Sequence, residues 1–152
     1  MSKHSDGFTL IELIVALVIA ALIAVIAIPS YQGFIDRGRR AVALSTLSEL
    51  SAQQQAFRLK QRRFATDFES LVSIKADTLY VGKDRRLTSS KAGTPLYAIT
   101  LDTEDDEWTG FTAEAVGVQS RDDDCATIAI SALGLQSAEN AAGAGTTAEC
   151  WR

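Results

Sequence analysis

The sequence predicts an α+β chain in which one long N-terminal helix, its first half apolar enough to cross a membrane, packs on a three- to four-stranded antiparallel sheet. Three observations predict it. Phe8–Ile28 is an apolar run carrying a single acid, Glu12. Leu44, Leu47, Leu50, Gln54 and Phe57 then recur at helical spacing on an otherwise polar stretch. Beyond Leu96, short alternating runs are separated by turn residues. A chain of 152 residues leaves room for one domain after the first segment.

The apolar run has 21 residues, Phe8 to Ile28, and ends at Pro29. As a helix it would span about 31 Å, close to the thickness of a bilayer core. Tyr31 stands where an interfacial aromatic would sit. A cleaved secretory signal has a shorter apolar region followed by a small-residue A-x-A site, which this run lacks. A plain signal anchor explains the length but not Glu12, since a charge at membrane depth costs roughly 2.5–3.5 kcal/mol. Pro29 cannot donate an intrahelical hydrogen bond, so a kink or local loosening is expected there. From Ser30 to about Arg62 there is no proline, and the stripe from Leu44 to Phe57 predicts an amphipathic continuation, roughly 80 Å with the anchor.

Thr66-Asp67-Phe68-Glu69 fits a capping box opening a short helix to about Ile74. Lys75–Thr94 is polar and irregular and suits a surface loop. Leu96–Leu101, Gly110–Gln119 and Ala126–Ser131 alternate as strands, the second with Phe111, Ala113 and Ala115 on one face. Leu133-Gly134 reads as a turn before a short strand near Leu135–Ser137, and the Ala/Gly-rich Ala138–Thr147 as a flexible loop.

Gly7-Phe8-Thr9-Leu10-Ile11-Glu12-Leu13, followed by an apolar stretch and Pro29, resembles the class III signal of type IV pilins, a family that includes the type II secretion pseudopilins. The resemblance implies cleavage by prepilin peptidase between Gly7 and Phe8, N-methylation of Phe8, and storage in the bacterial inner membrane before assembly. It implies a leader over residues 1–7, a transmembrane and filament-core helix over 8–29, its amphipathic continuation over 30–62 and a head over 63–152 with the pilin fold. It further implies that Glu12, about one turn from Phe8, pairs with the amino group of Phe8 on a neighbouring subunit and sets the axial register. One departure stands out: many members carry a glycine midway along this helix, and this chain has Ala21. Looser matches, among them Gln53-Gln54-Gln55-Ala56-Phe57, Tyr97-Ala98-Ile99, Asp124-Cys125-Ala126-Thr127-Ile128 and Glu149-Cys150-Trp151-Arg152, are similar to minor pilins of the PilE type. The implied function is that of a minor pilus subunit supporting assembly, twitching motility, attachment or DNA uptake. The implied partners are major and minor pilins, prepilin peptidase, the inner-membrane assembly machinery and membrane lipids. A secretion pseudopilin, or a tip module binding DNA or a surface, is the alternative.

Cys125 and Cys150 lie in the part a pilin exports, where such a pair reads as a disulfide resembling that of the pilin D-region. Closing that loop would contribute about 3–3.5 kcal/mol. Free thiols or a metal pair are the other readings, with no histidine nearby, because the sole histidine is His4. The net charge is −4, unchanged by removal of Met1–Gly7, which takes away Lys3 and Asp6 together. An acidic chain is not an obvious general nucleic-acid binder. Arg58, Lys60, Arg62 and Arg63, beside Phe57 and Phe64, could touch DNA phosphates, or could be the exposed face of the helix end with the aromatics packed inward. Arg37, Arg39 and Arg40 run against the positive-inside tendency and are candidates to meet acids of neighbouring subunits. Asp102, Glu104, Asp105, Asp106 and Glu107, or Asp122-Asp123-Asp124, could supply Ca²⁺ ligands but lack EF-hand spacing. No catalytic Ser/His/Asp or Cys/His set and no phosphate-binding glycine loop is present, so neither an enzyme, a cofactor nor a metal is expected.

Overall fold

The computed structural model describes residues 9–105 and 107–151. The chain divides into two units, residues 1–35 and 36–152, with the division falling inside the first helix.

That helix, α1, is Leu10–Gln61 and includes Pro29. Its start is set by Thr9, whose hydroxyl accepts the Glu12 backbone N–H at 3.3 Å and satisfies one of the orphan amides of the first turn. In the first unit the large apolar side chains are solvent-facing, from Leu10 at 77% exposure to Ile28 at 59%. The most apolar window of α1 has a mean hydropathy of 3.1 and no buried residue, so its surface requires a lipid or protein partner.

In the second unit, α1 buries Ala43, Thr46, Leu47, Leu50 and Gln54, one face at helical spacing. Leu44 and Phe57, expected in the stripe, lie at its margin and are partly buried. The adjacent residues of this face are the small Ala43 and Thr46, which permit close approach to the sheet. Gln54 is fully buried and fully used: its amide donates to Ala65 O at 2.7 Å and accepts from Ala65 N at 2.9 Å. The side chain thus imitates a strand neighbour and pins the chain where it leaves the helix.

A short α2, Phe68–Val72, follows. Its N-cap is Asp67, whose carboxylate accepts the Ser70 N–H at 2.6 Å. The expected Thr66/Glu69 box is therefore replaced by an Asp67/Ser70 cap, because the helix begins one residue later and a carboxylate also favours the positive end of the helix.

The sheet has six antiparallel strands in the order β2-β1-β3-β4-β5-β6. They are β1 Thr78–Val81, β2 Leu87–Thr88, β3 Tyr97–Glu104, β4 Glu107–Ala115, β5 Thr127–Ser131 and β6 Gln136–Glu139. The α+β class holds, but the sheet is wider than expected because β1 and β2 lie in the stretch that reads as loop. There Leu79 and Val81 alternate into the core over only four residues, too short a signal against the polar sequence around it. β4 stops at Ala115, and Gly117–Gln119 turns as a 3₁₀ segment instead of continuing the strand, with Gly117 at φ 58°.

The register of β3 on β4 shifts between Asp102 and Thr103, where Thr109 is an extra residue. This bulge brings Trp108 onto the same face as Phe111, and the rings pack at 5.2 Å. Gly110 is required beside it, since a Cβ there would meet Ile130 O at 2.7 Å. After β6 the Ala/Gly-rich stretch is an organised turn, not a loose loop. Asn140 Oδ1 accepts the N–H groups of Ala142 and Ala144 at 3.0 and 2.9 Å. The last element, α3, is Thr147–Cys150.

Candidate functional site

Four features of this chain have chemical consequence, and the first is the N-terminal end of α1. Glu12 is exposed in the first helical turn, on an apolar surface. Gly7 and Phe8 lie outside the described residues.

The second feature joins α1 to the C-terminal part of the head. Arg40 donates through Nε to Asp122 Oδ2 at 2.6 Å and through Nη2 to Asp122 Oδ1, a bidentate pair linking positions 82 residues apart. Gln119 Nε2 donates to the same carboxylate at 2.7 Å. The hydrogen bond to Asp122 raises the Arg40 pKa above its ordinary value, so the guanidinium stays charged. Beside the pair, Tyr97 is buried with no hydrogen-bond partner for its hydroxyl, and burial holds its pKa above the usual phenol range. Arg39 is likewise paired, with Asp36 at 3.1 Å. Two of the three arginines after the apolar segment are therefore neutralised within their own chain rather than held for neighbouring subunits. Only Arg37 of that set is left without such an ion pair among the described residues.

Cys125 and Cys150 form a disulfide with a Cα–Cα distance of 5.8 Å, and Cys125 lies three residues beyond Asp122. Thr146 Oγ1 donates to Asp124 O at 2.8 Å, and Thr147 Oγ1 accepts the Ala138 N–H at 3.0 Å. The disulfide ties the C-terminal segment to Cys125, and the Thr147 bond ties it to β6, which leaves less of that sheet edge open to unwanted pairing, while the ion pair fixes the Asp122–Cys125 segment on α1.

The third feature is basic and has two parts. At the end of α1, Arg58 lies over the Phe64 ring at 4.8 Å and Arg63 over the Phe57 ring at 5.7 Å. Phe64 itself packs on Trp108 at 4.9 Å. The aromatics of this set are thus each in contact with an arginine, and Phe64 also packs on Trp108. The second part is not among the residues singled out by sequence reasoning: Lys83, Arg85, Arg86 and Lys91 gather around the β1–β2 connection. Lys83 and Arg86 line an open cleft of about 310 Å³ with Tyr80, Thr88 and Ser90, and one acid, Asp84, lines it too. None of these four cations forms an ion pair among the described residues. Their signal in the sequence is four basic residues within nine positions, masked by the polar context of an apparent loop.

The fourth feature is the acidic groups, which are differently placed. Asp102 accepts from Thr112 Oγ1 at 2.6 Å and Thr100 Oγ1 at 3.3 Å, while Asp122 is held by Arg40. Among the described residues no three carboxylate, histidine or cysteine side chains gather as metal ligands.

Comparison with known proteins gives two family matches. The family described as "Type IV minor pilin ComP, DNA uptake sequence receptor" matches residues 29–129, and the "Prokaryotic N-terminal methylation motif" matches residues 2–28. Among curated relatives, a fimbrial protein of Pseudomonas aeruginosa is 30% identical over 107 residues, covering 65% of this chain and 70% of the relative. The Type II secretion system core protein G of Dickeya chrysanthemi is 28% identical over 71 residues, covering 47% of this chain and 46% of the relative.

Proposed function

Because this chain belongs to the type IV minor pilin family, a structural family whose members assemble with other pilins, we propose that it is a processed pilus subunit whose head captures DNA. The observation carrying the DNA reading is the cluster of four cations, Lys83, Arg85, Arg86 and Lys91, unpaired among the described residues and set around one hairpin of a chain whose net charge is −4. Such a cluster neutralises phosphates locally while the rest of the surface repels them. The family's description as a DNA uptake sequence receptor agrees with this.

In this reading prepilin peptidase cuts between Gly7 and Phe8 on the cytoplasmic side, Phe8 is N-methylated, and the head faces the periplasm. The apolar surface from Leu10 to Ile28 is held by lipid until the assembly machinery moves the subunit into the filament. There Glu12 pairs with the amino terminus of a neighbour. A carboxylate taken out of water is costly until it meets a cation, so one register is favoured over the others. Pro29 loosens α1 just beyond this segment. Glu12→Ala should be processed and inserted normally but enter filaments poorly, by roughly a hundredfold or more if a buried pair is broken. Quantifying the subunit in sheared pili against the membrane fraction checks this, and normal incorporation would remove the pairing role.

The DNA proposal is tested by retention of duplex DNA on the full-length chain across a salt series. Lys83→Ala with Arg86→Ala should weaken binding and lower the slope of log affinity against log salt by about 1 for each phosphate no longer neutralised. Unchanged affinity and slope would refute it. The relationship to a secretion core protein supports a pseudopilin as second reading, though it spans less than half of that relative.

A further inference from the structure

The β1–β2 connection, Gly82 to Arg86, lies at an outer corner of the sheet, because β2 is an edge strand of only two residues. A tight turn forms it, with the Arg85 N–H donating to Gly82 O at 3.1 Å. Arg85 closes that turn at φ 60°. Glycine is the usual occupant of such a left-handed position, since it has no Cβ to crowd the neighbouring carbonyl. This chain keeps an exposed arginine there instead, at some expense in stability. A disfavoured backbone conformation held at an exposed tip argues that the side chain it carries is used.

The cations beside it are differently placed. Lys83 and Arg86 line the cleft of about 310 Å³, whereas Arg85 is not part of that lining. Asp84, the acid of the cleft, is engaged in the turn, its Oδ1 accepting the Arg86 N–H at 3.3 Å. It is the one acid from Lys83 to Lys91, so the segment stays positive. Lys83 and Arg86 therefore suit phosphates, which ask only for nearby charge. Arg85 forms no ion pair among the described residues and stands apart from the cleft. The planar fork of an arginine matches the O6 and N7 acceptors of guanine in the major groove. That groove admits a two-stranded β-ribbon, and the minor groove is about half as wide.

We infer that the tip of this hairpin enters the major groove of duplex DNA, where Arg85 reads a guanine while Lys83 and Arg86 hold flanking phosphates. The inference rests on the DNA reading above. It adds a residue that selects sequence to a group that otherwise supplies charge.

The test starts from a random-sequence duplex pool retained on the full-length chain in detergent. The native chain should enrich duplexes that share a guanine at one fixed position, and Arg85→Gly should not. The enriched duplex is then compared with the same duplex carrying 7-deazaguanine at that position. This base lacks N7 but preserves charge, pairing and the minor-groove edge. The native chain should bind the 7-deaza duplex about tenfold more weakly, as expected for one spoiled guanine contact. Arg85→Gly should bind the two forms equally, because side chain and base act as one pair whose losses do not add. Glycine suits φ 60°, so this variant should melt no lower than the native chain, which excludes misfolding as the cause. Lys83→Ala with Arg86→Ala should weaken both forms by the same factor. The inference is overturned if the native chain ignores the 7-deaza change, if its discrimination survives in Arg85→Gly, or if duplexes are retained with no guanine enriched. In each of those cases DNA capture itself stands. Failure to retain any duplex would refute DNA capture and this inference with it.

Discussion

Asp122→Ala is expected to destabilise the head by about 3–5 kcal/mol, the range for removing one partner of a buried ion pair. The Asp122 side chain is 2% exposed and that of Arg40 14%. Asp122 accepts two hydrogen bonds from Arg40 and one from Gln119. Without the carboxylate, Arg40 remains charged against a poorly hydrated surface, because a guanidinium does not escape by losing its proton. Gln119, whose Oε1 already has no partner, would lose its remaining one. Urea unfolding of the full-length chain in detergent, followed by tryptophan fluorescence, measures the effect. A change below about 1 kcal/mol would mean that the pair behaves as a solvated surface contact. Arg40→Leu combined with Asp122→Ala should cost clearly less than the sum of the single changes, since the double variant leaves no charge stranded.

How much of this is legible in the sequence follows from the range of each interaction. The apolar segment, the helix face around Leu47 and Leu50 and the strands carrying Ile99, Ala113 and Ile128 are local patterns, with side chains repeating every 3.6 or 2 residues, and a sequence displays them directly. The Arg40–Asp122 pair joins positions 82 apart, and nothing in either neighbourhood announces the other. Arg40 looks like one member of an exposed basic run, and Asp122 like one member of an acidic loop. The bulge at Thr109 is hidden for a related reason: one extra residue shifts the alternation by one, so Trp108 falls out of phase with Phe111 while sharing its face. β1 and β2 escape notice because four- and two-residue strands offer too few repeats to outweigh their polar flanks. The basic group at the β1–β2 connection is obscured with them, since cations in an apparent loop give no reason to expect convergence. Glu12 differs, because an acid in an apolar segment is conspicuous without any structure.

The second large effect concerns the disulfide. Cys125→Ser with Cys150→Ser is expected to lower the head's stability by about 3.5 kcal/mol from chain entropy alone, for a loop closed across 25 residues. The native contacts of that loop argue that the loss will not be smaller. Both cysteines are essentially buried, Cys150 Sγ lies 3.3 Å from Thr146 Oγ1, and Thr146 in turn holds Asp124 O. The bridge therefore closes the loop and also fixes the segment that covers β6, where Thr146 N donates to Ala138 O at 2.8 Å. Loosening it exposes strand edge as well as core, so aggregation should rise together with unfolding. The Asp122 contact supplies an internal comparison, because Asp122 and Cys125 sit on the same short segment. If the bridge serves mainly to hold that segment on Arg40, Asp122→Ala will cost much less in the disulfide-free chain than in the native one. If the two act independently, the losses will add to within about 0.5 kcal/mol. Thermal unfolding of the four chains, oxidised and fully reduced, separates these cases. An unchanged melting temperature on removing both cysteines would show that the bridge contributes nothing to the fold's stability.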